Sequence, residues 1–230
     1  MNSIILDYLA DLAHNNNREW YHANKERYQK ATVEFERFIG NLIFAIGEFD
    51  NSVIHNEPQN LTFKLVRDTR FSLDKSPYNP TFRAHISSAG KLPVPVGYYV
   101  AIAPDNRSFL GGGLFASMFK DATEMVRNYI TVHGKEFENI ITEKTFAEYF
   151  TVKGESLKKV PRGYDVNHPQ VEFLKNKSWH LEYFISAKRI ENMENLVKQA
   201  AQIFKLMKPF NDYLNVALKD FKMPVRIQTR

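Results

Sequence analysis

Between Lys64 and Lys75 the chain sets four cations and two carboxylates within twelve residues: Lys64, Arg67, Arg70 and Lys75 with Asp68 and Asp74. Arginine presents a planar fork of donors and lysine a mobile point charge, so such a group is suited to holding a phosphate or carboxylate. Alternation along an extended segment sets Lys64, Asp68 and Arg70 on one face, with Leu65, Arg67, Thr69 and Phe71 on the other. Arg70, Lys64 and Lys75, joined by Arg83 and His85 of the next extended run, would then converge on an anion. Gly111, Gly112 and Gly113 allow close approach of a ligand or of another backbone, which suits the floor of such a pocket.

Arg67 follows the apolar residues inward on this reading and needs acidic partners, because an unpaired guanidinium in the interior is costly. Asp74 and Glu19 are the expected ones. Arg67, Asp68, Asp74 and Tyr78 form a supporting layer, and Trp20 packs over it. The same residues also make sense as an internal ion-pair lattice that ties a sheet edge to the first helices and binds nothing. A third reading is an association with nucleic acid, since Arg, Lys, Phe and Tyr interleave from Lys64 to Arg83. Stacking on exposed rings contributes ~1–3 kcal/mol per base, but the strand phases of Phe71, Phe82 and Tyr98 predict core. Lys158, Lys159 and Arg162 form a second basic cluster, expected as a solvated loop.

Other chemistries are poorly supported. The chain has no cysteine, which removes thiol nucleophiles and Cys-ligated metals. Its seven histidines include no H-x-H, H-E-x-x-H or i,i+4 pair, so no metal site and no cofactor are expected. Ser72 to Lys75 and Ser156 to Lys159 both fit S-x-x-K, without the companion motifs of penicillin-binding enzymes. Asp68 and Asp74 stand among cations that hold carboxylates ionised, which spoils either as a general acid. The residue pattern names no reaction.

These side chains must be positioned by something. Ile4, Ile5, Tyr8, Leu9 and Leu12 recur at helical spacing after Ser3, an N-cap type. After Asn15 to Asn17, Arg18 to about Phe49 is again helical, with Val33, Phe38, Leu42 and Ile46 facing inward. From Leu61 to Phe115 the period falls to two, predicting strands around Leu61/Phe63/Leu65, Phe82/Ala84/Ile86, Tyr98/Val100/Ile102 and Phe109 to Leu114. Short gaps, with Asp105-Asn106 as a tight turn, favour antiparallel pairing. Phe119 to Phe150 is helical with a break near Gly134, and Pro169 opens a short helix that reaches Leu174. Trp179 to Ile185 is a further strand, and Glu191 to Phe221 is helical with a break at Pro209. The fold class expected is α+β, a mainly antiparallel sheet flanked by N- and C-terminal helices. Residues 1–230 are taken as one domain: helical over 1–50, sheet-rich over 61–115, and helical with one further strand over 119–221.

The run Arg67, Asp68, Arg70, Phe71, Ser72, Asp74, Lys75, Pro77 and Tyr78 resembles the RDxRFSxDKxPY signature of a widespread bacterial family, a domain of unknown function. Supporting segments are similar too: Asn17-Arg18-Glu19-Trp20 with Asn24, Lys25 and Tyr28; the three glycines; and Pro161-Arg162-Gly163-Tyr164-Asp165 followed by His168-Pro169. The chain departs from the family at Lys64, where the pattern carries arginine, so an ammonium replaces a fork there. The resemblance spans about Ile4 to Met207. It implies one domain and a site at the signature, and no particular activity.

The remaining composition narrows the setting. In 230 residues, 43% are hydrophobic and 25% charged, enough chain to bury roughly 70% of its unfolded surface without staples. Lys plus Arg is 31 against 26 for Asp plus Glu, a net charge of +5, which permits anionic partners without demanding them. The longest unbroken apolar run, Tyr98 to Ala103, is six residues where ~20 are needed to span a bilayer. The first dozen residues lack the basic start of a signal peptide. A cytoplasmic protein that binds a small anionic ligand, such as a phosphorylated molecule, is the leading expectation; the sequence leaves its oligomeric state open.

Overall fold

The computed structural model describes residues 3–224. Its helices are α1 (Ile4–His14), α2 (Arg18–Ala23), α3 (Lys25–Gly47), α4 (Pro58–Leu61), α5 (Lys120–Thr142), α6 (Lys144–Tyr149), α7 (Val171–Leu174), α8 (Ala187–Ile190) and α9 (Met193–Ala217). Its strands are β1 (Thr62–Phe63), β2 (Phe82–Ile86), β3 (Tyr98–Ile102), β4 (Ser108–Leu114) and β5 (Trp179–Ile185). They form one sheet in chain order, β1-β2-β3-β4-β5. β1 and β3 each pair antiparallel with β2, in a register that sets Phe63 opposite Arg83 and His85 opposite Tyr99. This is the α+β architecture expected, with helices before and after the sheet. No helix among the described residues is long and apolar enough to cross a membrane.

The chain divides into two compact units, each assembled from three segments. The first comprises Met1–Lys91, Tyr98–Gly111 and Glu182–Leu206; the second Leu92–Gly97, Gly112–Leu181 and Met207–Arg230.

In the first unit Ser3 caps α1 by accepting the Leu6 N–H at 3.4 Å, and Ile5, Tyr8, Leu9 and Leu12 are buried as their spacing predicts. The long helix expected from Arg18 is two: Asn24 ends α2, and α3 begins at Lys25. α3 buries Phe35, Phe38, Ile39, Leu42, Ile43 and Ile46, each contributing about 1.5–3 kcal/mol by removal from water. Val33, expected inward, points out, because Phe35 and Ala31 occupy the buried stripe. Phe82, Ala84, Ile86, Tyr98, Val100 and Ile102 line the core side of β2 and β3. Asp105 and Asn106 both take positive φ, 59° and 56°, making the tight turn that their types favour.

In the second unit α5 buries Ala122, Thr123, Val126, Ile130 and Phe137. Its break falls at His133 (φ −111°, ψ 30°), beside Gly134. Phe137 packs edge-on against Phe173 at 4.9 Å, and the buried Trp179 donates its indole N–H to the Phe173 carbonyl at 3.1 Å. Two expectations fail here. Pro169 lies in a turn ahead of α7, which starts at Val171, because His168 Nδ1 already takes the Gln170 N–H. Pro209 does not end α9. A proline inside a helix costs ~3 kcal/mol, and burial of Met207, Phe210, Tyr213 and Leu214 around it outweighs that.

Candidate functional site

The expected first strand is short. Pro58 starts α4, which absorbs Leu61, and regular pairing ends at Phe63. Beyond Phe63 the chain leaves the sheet as a loop whose base is a single antiparallel bridge between Val66 and Tyr78. It is tightened by the Arg67 N–H on the Pro77 carbonyl at 2.9 Å and the Asn79 N–H on the Leu65 carbonyl at 2.7 Å. Asn16, between α1 and α2, holds the far side: it donates to the Tyr78 carbonyl at 2.9 Å and accepts the Tyr78 N–H at 3.1 Å. The Tyr78 ring is buried and stacks on Tyr21 at 4.2 Å. The signature's last residue is thus an anchor.

Arg67 staples the loop from within. Its Nη1 donates to the Asp74 carboxylate and to the Ser76 carbonyl (3.3 Å), and its Nη2 to the Ser72 hydroxyl (3.2 Å). Asp74 is therefore the partner expected; Glu19 is exposed and is not one of Arg67's contacts. The Ser76 hydroxyl and N–H, then Arg67, hold the Asp74 carboxyl well below its ordinary range. Arg70 forks onto Asp68 instead of reaching outward, with Nε at 3.0 Å from Oδ1 and Nη2 at 2.6 Å from Oδ2. The Arg70 side chain first, and its backbone N–H second, lower the Asp68 carboxyl from 3.8 to about 2.

Because both carboxylates are depressed on folding, the native loop binds fewer protons than the unfolded chain just below pH 3.8. Its ionic contribution is present above 3.8; the Asp68 part is lost as pH falls through about 2, and the Asp74 part at still lower pH. NMR titration of the side-chain carboxyls is expected to show Asp68 with a midpoint near 2 that rises part of the way back toward 3.8 with Arg70→Gln, which keeps the backbone N–H on Oδ1. An unshifted Asp68 in the wild-type chain would break the pairing.

Three cations of the segment have no carboxylate within 4 Å among the described residues: Lys64, Lys75 and Arg83. Lys75 donates to the Thr69 carbonyl at 3.1 Å. Arg83 makes a long contact, 3.4 Å, with the Lys64 carbonyl and also meets the Tyr99 hydroxyl, while its buried Nε meets no acceptor among the described residues. Its guanidinium lies 5.5 Å from the centroid of Phe63. That ring begins a row across the second face of the sheet, Phe63, Tyr99, Phe109 and Phe184, with centroids 5.7–6.5 Å apart. His85 lies on this face, buried, its ring 6.5 Å from Tyr99. At the loop tip Phe71 and Leu73, at 97% and 103% exposure, stand fully in solvent. The core position expected for Phe71 fails because alternation has no meaning once the strand has ended.

Trp20 packs on Tyr8 at 5.9 Å, under Arg27. Gly111 is buried in β4. Gly112 and Gly113 belong to the second unit, where the close approach comes from the protein itself. A Cβ on Gly112 would meet Asn211 and Met207, and one on Gly113 the Trp179 carbonyl at 2.4 Å. The pocket floor expected of them is therefore occupied. Arg162 also belongs to the second unit, on a cleft with Lys120, Arg127 and Lys177. Sequence reading singled out only Arg162 of these four. The available signal was Arg127, a cation next to Val126 on the rim of the buried stripe of α5.

Among the described residues no group of three or more His, Asp or Glu is placed to hold a metal ion. No curated protein and no solved structure matches the chain. The profile of one family, described as a conserved hypothetical protein, matches residues 4–213, from the start of α1 into α9. The chain belongs to that family, DUF2461.

Proposed function

We propose that the chain binds a small anionic ligand, a phosphorylated molecule, at the junction of the Lys64–Tyr78 loop with β2. The single observation that supports this most is Arg83: a partly buried guanidinium with an unmatched Nε, beside Lys64, and with no carboxylate on either among the described residues. A ligand phosphate satisfies such a fork through two parallel hydrogen bonds. Lys75, its ammonium on the Thr69 carbonyl, is a third cation of the loop without a carboxylate partner among the described residues. Arg67, Asp74, Asp68 and Arg70 shape the loop, and their charges are spent on one another. The ring of Phe63 offers a flat apolar surface next to the phosphate position, which favours a ligand that carries an aromatic ring, as a nucleotide does.

The site is open, and contacts of exposed charges are screened by salt. A polyphosphate chain therefore binds better than a single phosphate. The test is calorimetric titration of the full chain with a nucleoside triphosphate and with inorganic triphosphate. Both are expected to bind, the nucleotide more tightly, and Arg83→Gln is expected to weaken both by at least about tenfold. Arg70→Ala, whose guanidinium already sits on Asp68, is expected to leave binding nearly unchanged. Equal binding by wild type and Arg83→Gln would overturn the reading.

A second reading, single-stranded nucleic acid along the same surface, is favoured by one observation: Phe71 and Leu73 stand exposed between Arg70 and Lys75. It predicts that an oligonucleotide binds far more tightly than the mononucleotide, with affinity falling steeply as salt rises. Phe71→Ala is then expected to weaken the oligonucleotide alone.

A further inference from the structure

In the second unit a cleft of about 330 Å³ opens between the first half of α5 and the connection that carries Pro161 to Tyr164. Lys120, Arg127, Arg162 and Lys177 line it, against Glu124 as the one lining carboxylate. Lys177 is paired with Glu155. Lys120 and Arg162 are exposed and have no acidic partner within 4 Å among the described residues.

Arg127 is the most informative of the four. Its Nε and Nη2 donate together to the Asn176 carbonyl, at 3.1 and 2.7 Å, which fixes the plane of the guanidinium. A guanidinium has five N–H donors, so three remain after these two. Burial lowers its pKa from the ordinary value, with Tyr164 and Glu124 opposing the shift. No carboxylate reaches it within 4 Å among the described residues. A partly buried guanidinium held in a fixed plane by a neutral carbonyl, with Lys120 on the same helix and Arg162 on the facing connection, leaves the cleft with more positive charge than Glu124 balances. Tyr164 is positioned over the same space by its hydroxyl, which donates to Asn128 at 2.8 Å. The volume lies at the lower end of small-molecule sites, about 300–1,000 Å³.

We propose that this cleft is a binding site for a phosphate-bearing small molecule, its phosphoryl oxygens held by Arg127, Arg162 and Lys120 and the rest of the ligand lying along Tyr164. It shares no residue with the Arg83 surface, so either site can fail without the other. Phosphate has the tetrahedral set of acceptors that Lys120 and Arg127 of α5 and Arg162 of the facing connection can reach at once, whereas a carboxylate presents only one plane of lone pairs.

The test is calorimetric titration of the full chain with inorganic pyrophosphate, in wild type, in Arg127→Gln, in the double variant Lys120→Gln/Arg162→Gln, and in Arg83→Gln. The wild-type chain is expected to bind. Arg127→Gln and the double variant are each expected to lose at least about tenfold in affinity, and Arg83→Gln is expected to keep a cleft component of full strength. Lys120 and Arg162 are exposed, so if Arg127→Gln fails to fold for want of its bonds to Asn176, the double variant decides alone. Absence of binding in wild type, an unchanged affinity in the double variant, or loss of all binding in Arg83→Gln would each overturn the cleft.

Discussion

Gly113→Ala is expected to destabilise the chain by about 2–6 kcal/mol, the sum of backbone strain of ~1–3 and overpacking of ~1–3 kcal/mol. Gly113 has φ +87°, and its missing side chain leaves room that two neighbours fill. A Cβ there would sit 2.4 Å from the Trp179 carbonyl and 2.8 Å from the Phe210 ring. Neither can yield: the Trp179 carbonyl is backbone of β5, and Phe210 is fully buried in α9. For a chain of this length the melting temperature should fall by roughly 10 °C. Gly163 is the control. It too has positive φ, +96°, but a Cβ there meets nothing within 4 Å, so Gly163→Ala carries backbone strain alone, ~1–2 kcal/mol. The contrast separates two meanings of the glycine run. If the glycines floored a ligand pocket, Gly113→Ala would lose binding and melt like wild type; if they admit β5 and α9, it loses stability first. A melt within a degree or two of wild type would refute the second.

The periodicities that could be read were those of elements with one face buried. Phe82/Ala84/Ile86 and Tyr98/Val100/Ile102 announce β2 and β3 because each alternate residue is excluded from water. The stripes of α1 and α3 do the same at the helical period. The signature loop was legible as charge and illegible as shape. Alternation was extended through Lys64 to Phe71, yet the strand stops at Phe63, and the loop is set by long-range contacts: Asn16 on the Tyr78 backbone, Tyr21 under its ring. Asp74 was found as Arg67's partner because seven residues of loop return the carboxylate to the arginine. Glu19, expected beside Asp74, is exposed instead, because no local rule fixes where α2 points. Val33 and Pro209 show the same limit inside helices, where tertiary burial decides which of several admissible stripes turns inward and whether a proline is tolerated. The second basic group was half legible. Arg162 was visible in its motif, but Lys120, Arg127 and Lys177 come from other parts of the chain, and only folding brings them to one cleft.

Asn211→Leu is expected to cost about 2–6 kcal/mol, for a reason opposite to crowding: two buried backbone groups lose their partners. Asn211 is 3% exposed, four residues after Met207 and three before Leu214, on the apolar stripe of α9, where leucine has nearly the right volume. Its side chain, however, accepts the Gly113 N–H at 2.7 Å and donates to the Gly97 carbonyl at 3.0 Å. Leucine leaves both groups buried without partners, at ~1–3 kcal/mol each. Asn215, one turn on, does the same for Val96, taking its N–H at 2.8 Å and giving to its carbonyl at 3.0 Å. Those bonds are only partly buried, so water can replace them and Asn215→Leu should cost less. Asparagine at both positions is demanded by irregular backbone at Val96-Gly97 and by a glycine whose N–H is met by a side chain. Chemical denaturation of the two variants is the measurement. Equal losses at 211 and 215 would mean that helix packing alone sets these costs; a larger loss at 211 assigns the difference to the buried bonds that hold Gly97 and Gly113 against α9.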